Sequence, residues 1–213
     1  KIKMELLKKS NGNLPRTKEE TEQMIVKAAE AYGQFLNAVG FDYMSDRQTV
    51  DTPKRVAKAW IKDLIIGSIT EEPEITVFPN DESYDGLVIQ SGIPIVSMCA
   101  HHNLPFNGFA TVAYVPSEHV IGLSKLNRIT EWFARRPQMQ ESLTTQIHDY
   151  IAEKMDCKSV AVSISCKHTC CSHRGIKHAS VMTTNKFSGV FMENDNLIRE
   201  EFLHAISLNG AKF

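Results

Sequence analysis

An α+β fold built on an antiparallel sheet is what the sequence predicts, and three observations predict it. Apolar residues recur at helical spacing through the first third of the chain. β-Branched and aromatic residues then gather in short runs from about residue 74. After that, two helical stretches, two strand-like stretches and a last helical stretch follow in turn.

The elements read as follows. Residues 1 to 16 carry lysines, an Asn-Gly and a Leu-Pro pair, and read as a loose arm. Thr17 opens "TKEE", with Glu20 three residues on, which is the pattern of a capping box. Ile25, Ala28, Ala29, Tyr32, Leu36 and Val39 then mark one long amphipathic helix up to Gly40. In "DTPKRVAKAWIKDLII", Thr52 is placed to cap and Pro53 suits the first helical position. Val56, Ala57, Trp60, Ile61 and Leu64 form its packing stripe. "EITVF", "LVIQSGIPIVSM" and "FATVAYV" read as strands. "SKLNRITEWFARR" returns to helical period with Ser124 as a cap, and Pro137 is read as opening a second helix through "QMQESLTTQIHDYIAEKM". "KSVAVSISC" and "SVMTTNKFSGVF" add two strands, and "NLIREEFLHAI" closes the chain as a helix. The expected organisation is an N-terminal arm and helical region over 1–70 and a continuous sheet-bearing region over 71–213.

Composition narrows the function. With 213 residues the chain can bury a real core, and a formal net charge of -1 gives no support to bulk attraction toward nucleic acid or a membrane surface. The apolar runs are too short to span a bilayer, and no basic stretch followed by an apolar one opens the sequence. Five cysteines, Cys99, Cys157, Cys166, Cys170 and Cys171, form an odd set. Without an export signal, that set points to a reducing, cytoplasmic setting with thiols free or bound to metal.

Two segments concentrate soft ligands: "MCAHH" at 98–102 and "CKHTCCSHRG" at 166–175. Cys99 and His102 have the spacing that lets both point into one turn, and Cys170, at the end of a predicted strand, can supply a third ligand. Cys166 or Cys171 would complete a closed, structural tetrahedron, although Cys166 shares strand parity with Val162 and Ile164 and so faces packing. Three ligands instead leave a position for water, which a zinc ion ionises near neutral pH. His101 and His168 flank the ligand positions and suit proton transfer.

Beyond these clusters, the chain resembles the GTP cyclohydrolase I family from about residue 50 onward, in "DTPKRVAKAW", "MCAHHNLPFNG", "VIGLSKLNRI", "FARRPQMQESLT", "HTCCSHRG" and "REEFL". The resemblance implies a tunnelling fold with a four-stranded antiparallel sheet and paired helices on one face. It implies one open, catalytic Zn2+ held by Cys99, His102 and Cys170, with His101 and His168 beside the reacting ring of GTP. Ser124, Lys125, Arg128 and Arg174 would bind the triphosphate, while Arg55 and Lys58 are weaker candidates. Glu141, with Gln140 beside it, would meet guanine, together with backbone around Ile121, Gly122 and Leu123. The implied reaction opens the imidazole ring at C8, releases formate and rebuilds a pterin without a redox cofactor. The implied assembly is a homodecamer with pockets between subunits.

One position departs from the pattern: Ala100 stands where the family usually carries a glutamate. Its loss removes a partner for a ligand or a phosphate-binding arginine. Three other readings compete with the enzyme: a nucleotide-binding zinc scaffold of weakened activity, a related enzyme of the same fold on another purine or pterin, and a purely structural zinc module.

Overall fold

The structure is a computed structural model, and it describes residues 5–193 and 197–209. Two compact units divide the chain, Lys1–Glu71 and Glu72–Phe213.

The first unit is helical. Helix α1, Lys18–Ala38, begins with the capping box read from the sequence: the Glu20 N–H donates to Thr17 Oγ1, and Glu20 Oε2 accepts from the Thr17 N–H. Helix α2, Thr52–Ala59, runs into a π-helical turn at Trp60–Leu64 and then the short α3, Ile66–Ile69. Thr52 is the first helical residue rather than the cap, which is Asp51. Ile25, Ala57, Ile61 and Ile69 bury the unit's small core. The segment before α1 is tied rather than loose. Asn13 Nδ2 donates to the carbonyls of Gly67 and Thr70, and the N–H groups of Leu14 and Arg16 donate to those of Ser68 and Ile69. A side chain able to satisfy helix-end carbonyls outweighs the arm's loop-like composition here.

The second unit carries the sheet. Strands β1, Val77–Pro79, and β4, His119–Ile121, make a small antiparallel pair. The main sheet contains β2 (Val88–Cys99), β3 (Pro105–Tyr114), β5 (Pro137–Gln138), β6 (Val160–His168) and β7 (Val181–Phe187), in the order β5-β2-β3-β6-β7. It therefore has five strands, not the expected four. The added strand is the parallel edge β5, in register as Met98 with Pro137 and Cys99 with Gln138. Pro137, which the sequence predicts to open a helix, lies instead in this edge strand. A residue lacking an N–H fits an edge equally well, and proline pushes the residue before it toward extended backbone. A bulge falls in β2 between Gln90 and Ile93, where Gly92 adopts a φ of 71°.

Helix α4, Leu123–Ala134, and helix α5, Gln140–Lys154, pair on one sheet face. Leu126, Ile129 and Phe133 from α4 and Leu143, Ile147 and Ile151 from α5 meet Ile93, Ile95, Ala110, Val112, Val162 and Ile164 of the strands. These strand residues alternate along each strand, so the apolar period of two places them all toward the helices. The opposite face is covered at one end by a 3-10 turn at Gly189–Met192 and by helix α7, Leu197–Asn209, through Phe191 and Phe202 over Ala113 and Ala161. Among the described residues, no helix is long and apolar enough to cross a membrane.

Candidate metal centre and active site

The sheet's register brings the two ligand clusters to one end. Met98 lies opposite Pro105 and Phe106 opposite His168, so the loop leaving β2 and the short α6 (Thr169–Ser172) leaving β6 emerge side by side. Backbone bonds shape the first loop: the Cys99 N–H donates to Leu104 O and the Asn103 N–H donates back to Cys99 O, both at 2.9 Å. Asn103 closes this reversal with a φ of 52°, a left-handed conformation that asparagine tolerates. The Ala100 N–H donates to Gln138 O on β5, so the edge strand braces the residue after the cysteine. On the other side, Thr169 Oγ1 donates to Pro105 O at 2.6 Å, and Ser172 Oγ donates to His168 O.

Within this frame Cys99, His102 and Cys170 present ligand atoms that all lie within 4.8 Å of one another. Cys99 Sγ stands 3.9 Å from His102 Nδ1. Both cysteines are buried and His102 is exposed, so the group has one wet side. Two sulfurs and one imidazole at this spacing can hold a metal ion and complete three of its coordination positions. Burial, together with the neighbouring Cys99 and Cys171 thiols, pushes the Cys170 thiol up to about 12. A metal would reverse that by stabilising the thiolate.

The candidates for a fourth ligand stand outside the group. Cys166 is fully buried on the helix-facing side of β6, and desolvation pushes its thiol up to about 12. Cys171 is exposed, and His173 Nδ1 is engaged by Ser172 Oγ at 2.7 Å. Arg174 reaches the cluster from solvent: its Nη1 donates to His102 Nε2 at 2.7 Å. Ala100 carries only a methyl group, so it can neither accept from Arg174 nor bond to a ligand.

His168 sits beside the metal group in a fixed pose. Its ring stacks on Phe106 with centroids 4.5 Å apart and planes 10° apart, and its Nε2 lies 2.8 Å from Gln140 Oε1. Desolvation lowers its proton affinity below the usual imidazole value, while the charge of Glu141 opposes that shift. Glu141 is exposed in the first turn of α5. Gln140 is 1% exposed, with its side chain engaged inside the protein. His101 is exposed, its ring edge-on to that of His102 at 6.3 Å. Phe106 was not singled out from the sequence; only its place in "HHNLPFNG" and its strand parity signalled it.

The anion-binding candidates fall into two places. Arg174 is at the metal cluster, whereas Ser124, Lys125 and Arg128 lie in the first turns of α4, whose cap is Gly122 rather than Ser124. Ser124 and Arg128 are exposed, and Lys125 Nζ donates to Glu74 O at 3.0 Å. Arg55 pairs with Asp51 at 3.5 Å on the exposed side of α2, as a helix-surface charge does.

Comparison with known proteins identifies the chain's relatives. The family model described as GTP cyclohydrolase I matches residues 28–207. The chain is 40% identical over 193 residues to GTP cyclohydrolase 1 of Yersinia enterocolitica, covering 90% of this chain and 87% of that protein. It is 42% identical over 165 residues to GTP cyclohydrolase 1 of Edwardsiella ictaluri, covering 76% and 74%. The protein of the same name from Pectobacterium carotovorum is 40% identical over 182 residues, covering 84% and 82%.

Proposed function

Because the chain belongs to the GTP cyclohydrolase I family, we propose that it hydrolyses the imidazole ring of GTP at C8, releases formate and yields 7,8-dihydroneopterin triphosphate. The observation that carries this reading is the three-ligand Cys99, His102 and Cys170 group, open on one side and next to a half-buried, oriented histidine. Two thiolates and an imidazole favour zinc among the common divalent metals. Bound there, zinc would supply a water molecule ionised near neutral pH.

The chain's own residues do the rest. His168, held by Phe106 and Gln140, exchanges a proton with the purine ring as it opens, and His101, free on the wet side of the loop, serves the second proton transfer. Glu141 accepts the N1 and N2 hydrogens of guanine, a pairing in which a carboxylate takes two parallel donors. Arg174, Lys125 and Arg128 neutralise the triphosphate and Ser124 donates a hydrogen bond to it, the residues of α4 with help from the N–H groups at the start of that helix. Two hydrolytic steps remove C8 as formate, and rearrangement of the ribose carbons closes the new ring, so no external electron acceptor is needed.

We further propose the tunnelling fold's assembly, in which such sites lie between subunits. On this reading the phosphate-binding turn of α4 and the metal group belong to pockets built by neighbouring copies of a homodecamer, whose sheets join edge to edge because open strands need partners. The N-terminal region over 1–70 and the catalytic region over 71–213 divide the chain in this scheme, which operates in the cytoplasm.

A direct test incubates zinc-loaded protein with GTP and oxidises the product. Fluorescent neopterin phosphate is expected. Intact GTP in the presence of fully loaded protein would leave only a nucleotide-binding zinc scaffold.

A further inference from the structure

The geometry points to Gln140 as a positioning residue that fixes which nitrogen of His168 exchanges protons; this rests on the proposed role of His168 in the reaction. Gln140 opens α5 with its side chain buried between that helix and strands β6 and β7. Its Nε2 has three acceptors in reach: Ile164 O at 2.9 Å, Met182 O at 3.0 Å and Thr184 Oγ1 at 3.1 Å. Two of these are backbone carbonyls, which only accept, so the NH2 group must face them. The amide orientation is thereby set by the sheet. Thr144 reinforces it, since its hydroxyl lies 2.9 Å from Gln140 O and 2.6 Å from Thr184 Oγ1.

With the NH2 group committed, Gln140 Oε1 is the atom that faces His168 Nε2, at 2.8 Å. An amide oxygen cannot donate, so Nε2 carries the hydrogen. In the neutral ring, Nδ1 is then the basic atom, and in the protonated ring Nε2 keeps its hydrogen against Gln140. The Phe106 stack holds the ring plane, and the amide holds its rotation about that plane. Proton exchange with substrate is thus confined to Nδ1. Gln140 acts on the reaction through His168 and not by touching the nucleotide.

The test reads the tautomer directly and the kinetics separately. In zinc-loaded protein carrying 15N-labelled histidine, two-bond proton–nitrogen correlations above the usual imidazole titration range report which ring nitrogen bears hydrogen. His168 is assigned by the signal lost in a His168→Gln variant. A protonated Nε2 with a bare Nδ1 is expected in the unsubstituted protein, and a protonated Nδ1 overturns the proposal. This arm needs no Gln140 variant and does not depend on GTP being the substrate.

In Gln140→Leu the ring is expected to populate both tautomers, with kcat reduced about tenfold or more while KM for GTP and zinc content hold. A raised KM with unchanged kcat would instead make Gln140 a substrate contact, and an unchanged tautomer in that variant would remove its positioning role. Absence of GTP turnover in the unsubstituted protein would count against the proposed function alone.

Discussion

Metal affinity should climb steeply with pH, and the Cys170 environment sets the direction. In the metal-free chain, burial and the adjoining thiols hold the Cys170 proton on until about 12, so the thiol is protonated throughout the physiological range. A metal binds the thiolate. Loading must therefore expel that proton, and by linkage the apparent association constant rises about tenfold per pH unit for each proton released, which is about 1.4 kcal/mol per unit. The sign is fixed: the raised thiol value disfavours the ligand form, so affinity falls as pH falls, and no plateau from Cys170 is reached below its own titration range. Competition of zinc between the protein and a chromophoric chelator, across neutral pH and corrected for the chelator's own protonation, measures the slope. At least one proton per metal is expected. A Cys170→Ala variant should bind far more weakly with a shallower slope. A flat profile in the unsubstituted protein, or equal affinity in the variant, would refute Cys170 as a ligand.

Other consequences follow from single contacts. His168→Ala should lower kcat by about 100- to 10,000-fold, as expected for a lost proton carrier, with zinc content by metal analysis unchanged; loss of zinc instead would make His168 a ligand. Glu141→Gln replaces one of two acceptors with a donor that opposes guanine, and should lower kcat/KM for GTP by about 10- to 150-fold, the equivalent of about 1.5–3 kcal/mol. Gly108 lies opposite Cys166 where β3 pairs with β6, and an added Cβ there would collide with Ser165 O and stand 2.7 Å from Cys166 Cα. Backbone atoms cannot swing aside, so Gly108→Ala should cost about 1–3 kcal/mol or more and lower Tm by about 2–12 °C in calorimetry. Thr17→Ala removes the cap of α1 and should cost about 1 kcal/mol in denaturant unfolding.

Local signals made much of this legible in the sequence. The capping box at Thr17 and the alternation that buries Val162, Ile164 and Cys166 depend on near neighbours, and both appear in the fold as read. The grouping of Cys99, His102 and Cys170 followed from ligand chemistry and family motifs, and the register of β3 with β2 and β6 is what closes it. What escaped was decided at long range. Pro137 suits a helix start and a sheet edge alike, and only the neighbouring β2 selects the edge. Asn13 lies in a stretch of loop-like composition, yet its amide finds carbonyls more than fifty positions away. The commitments of Gln140 to two strands, and the stack of Phe106 on His168, exist only once the sheet has set their spacing.

The oxygen atoms of the released formate test the central claim most directly. C8 of GTP bears no oxygen, so two successive hydrolyses must supply both oxygens of formate from solvent. With zinc-loaded protein, GTP and 18O-enriched water, mass spectrometry should find formate in equal amount to the pterin and labelled at both oxygens. GTP recovered intact, or formate bearing a single solvent oxygen, would contradict a site that twice delivers water to that carbon.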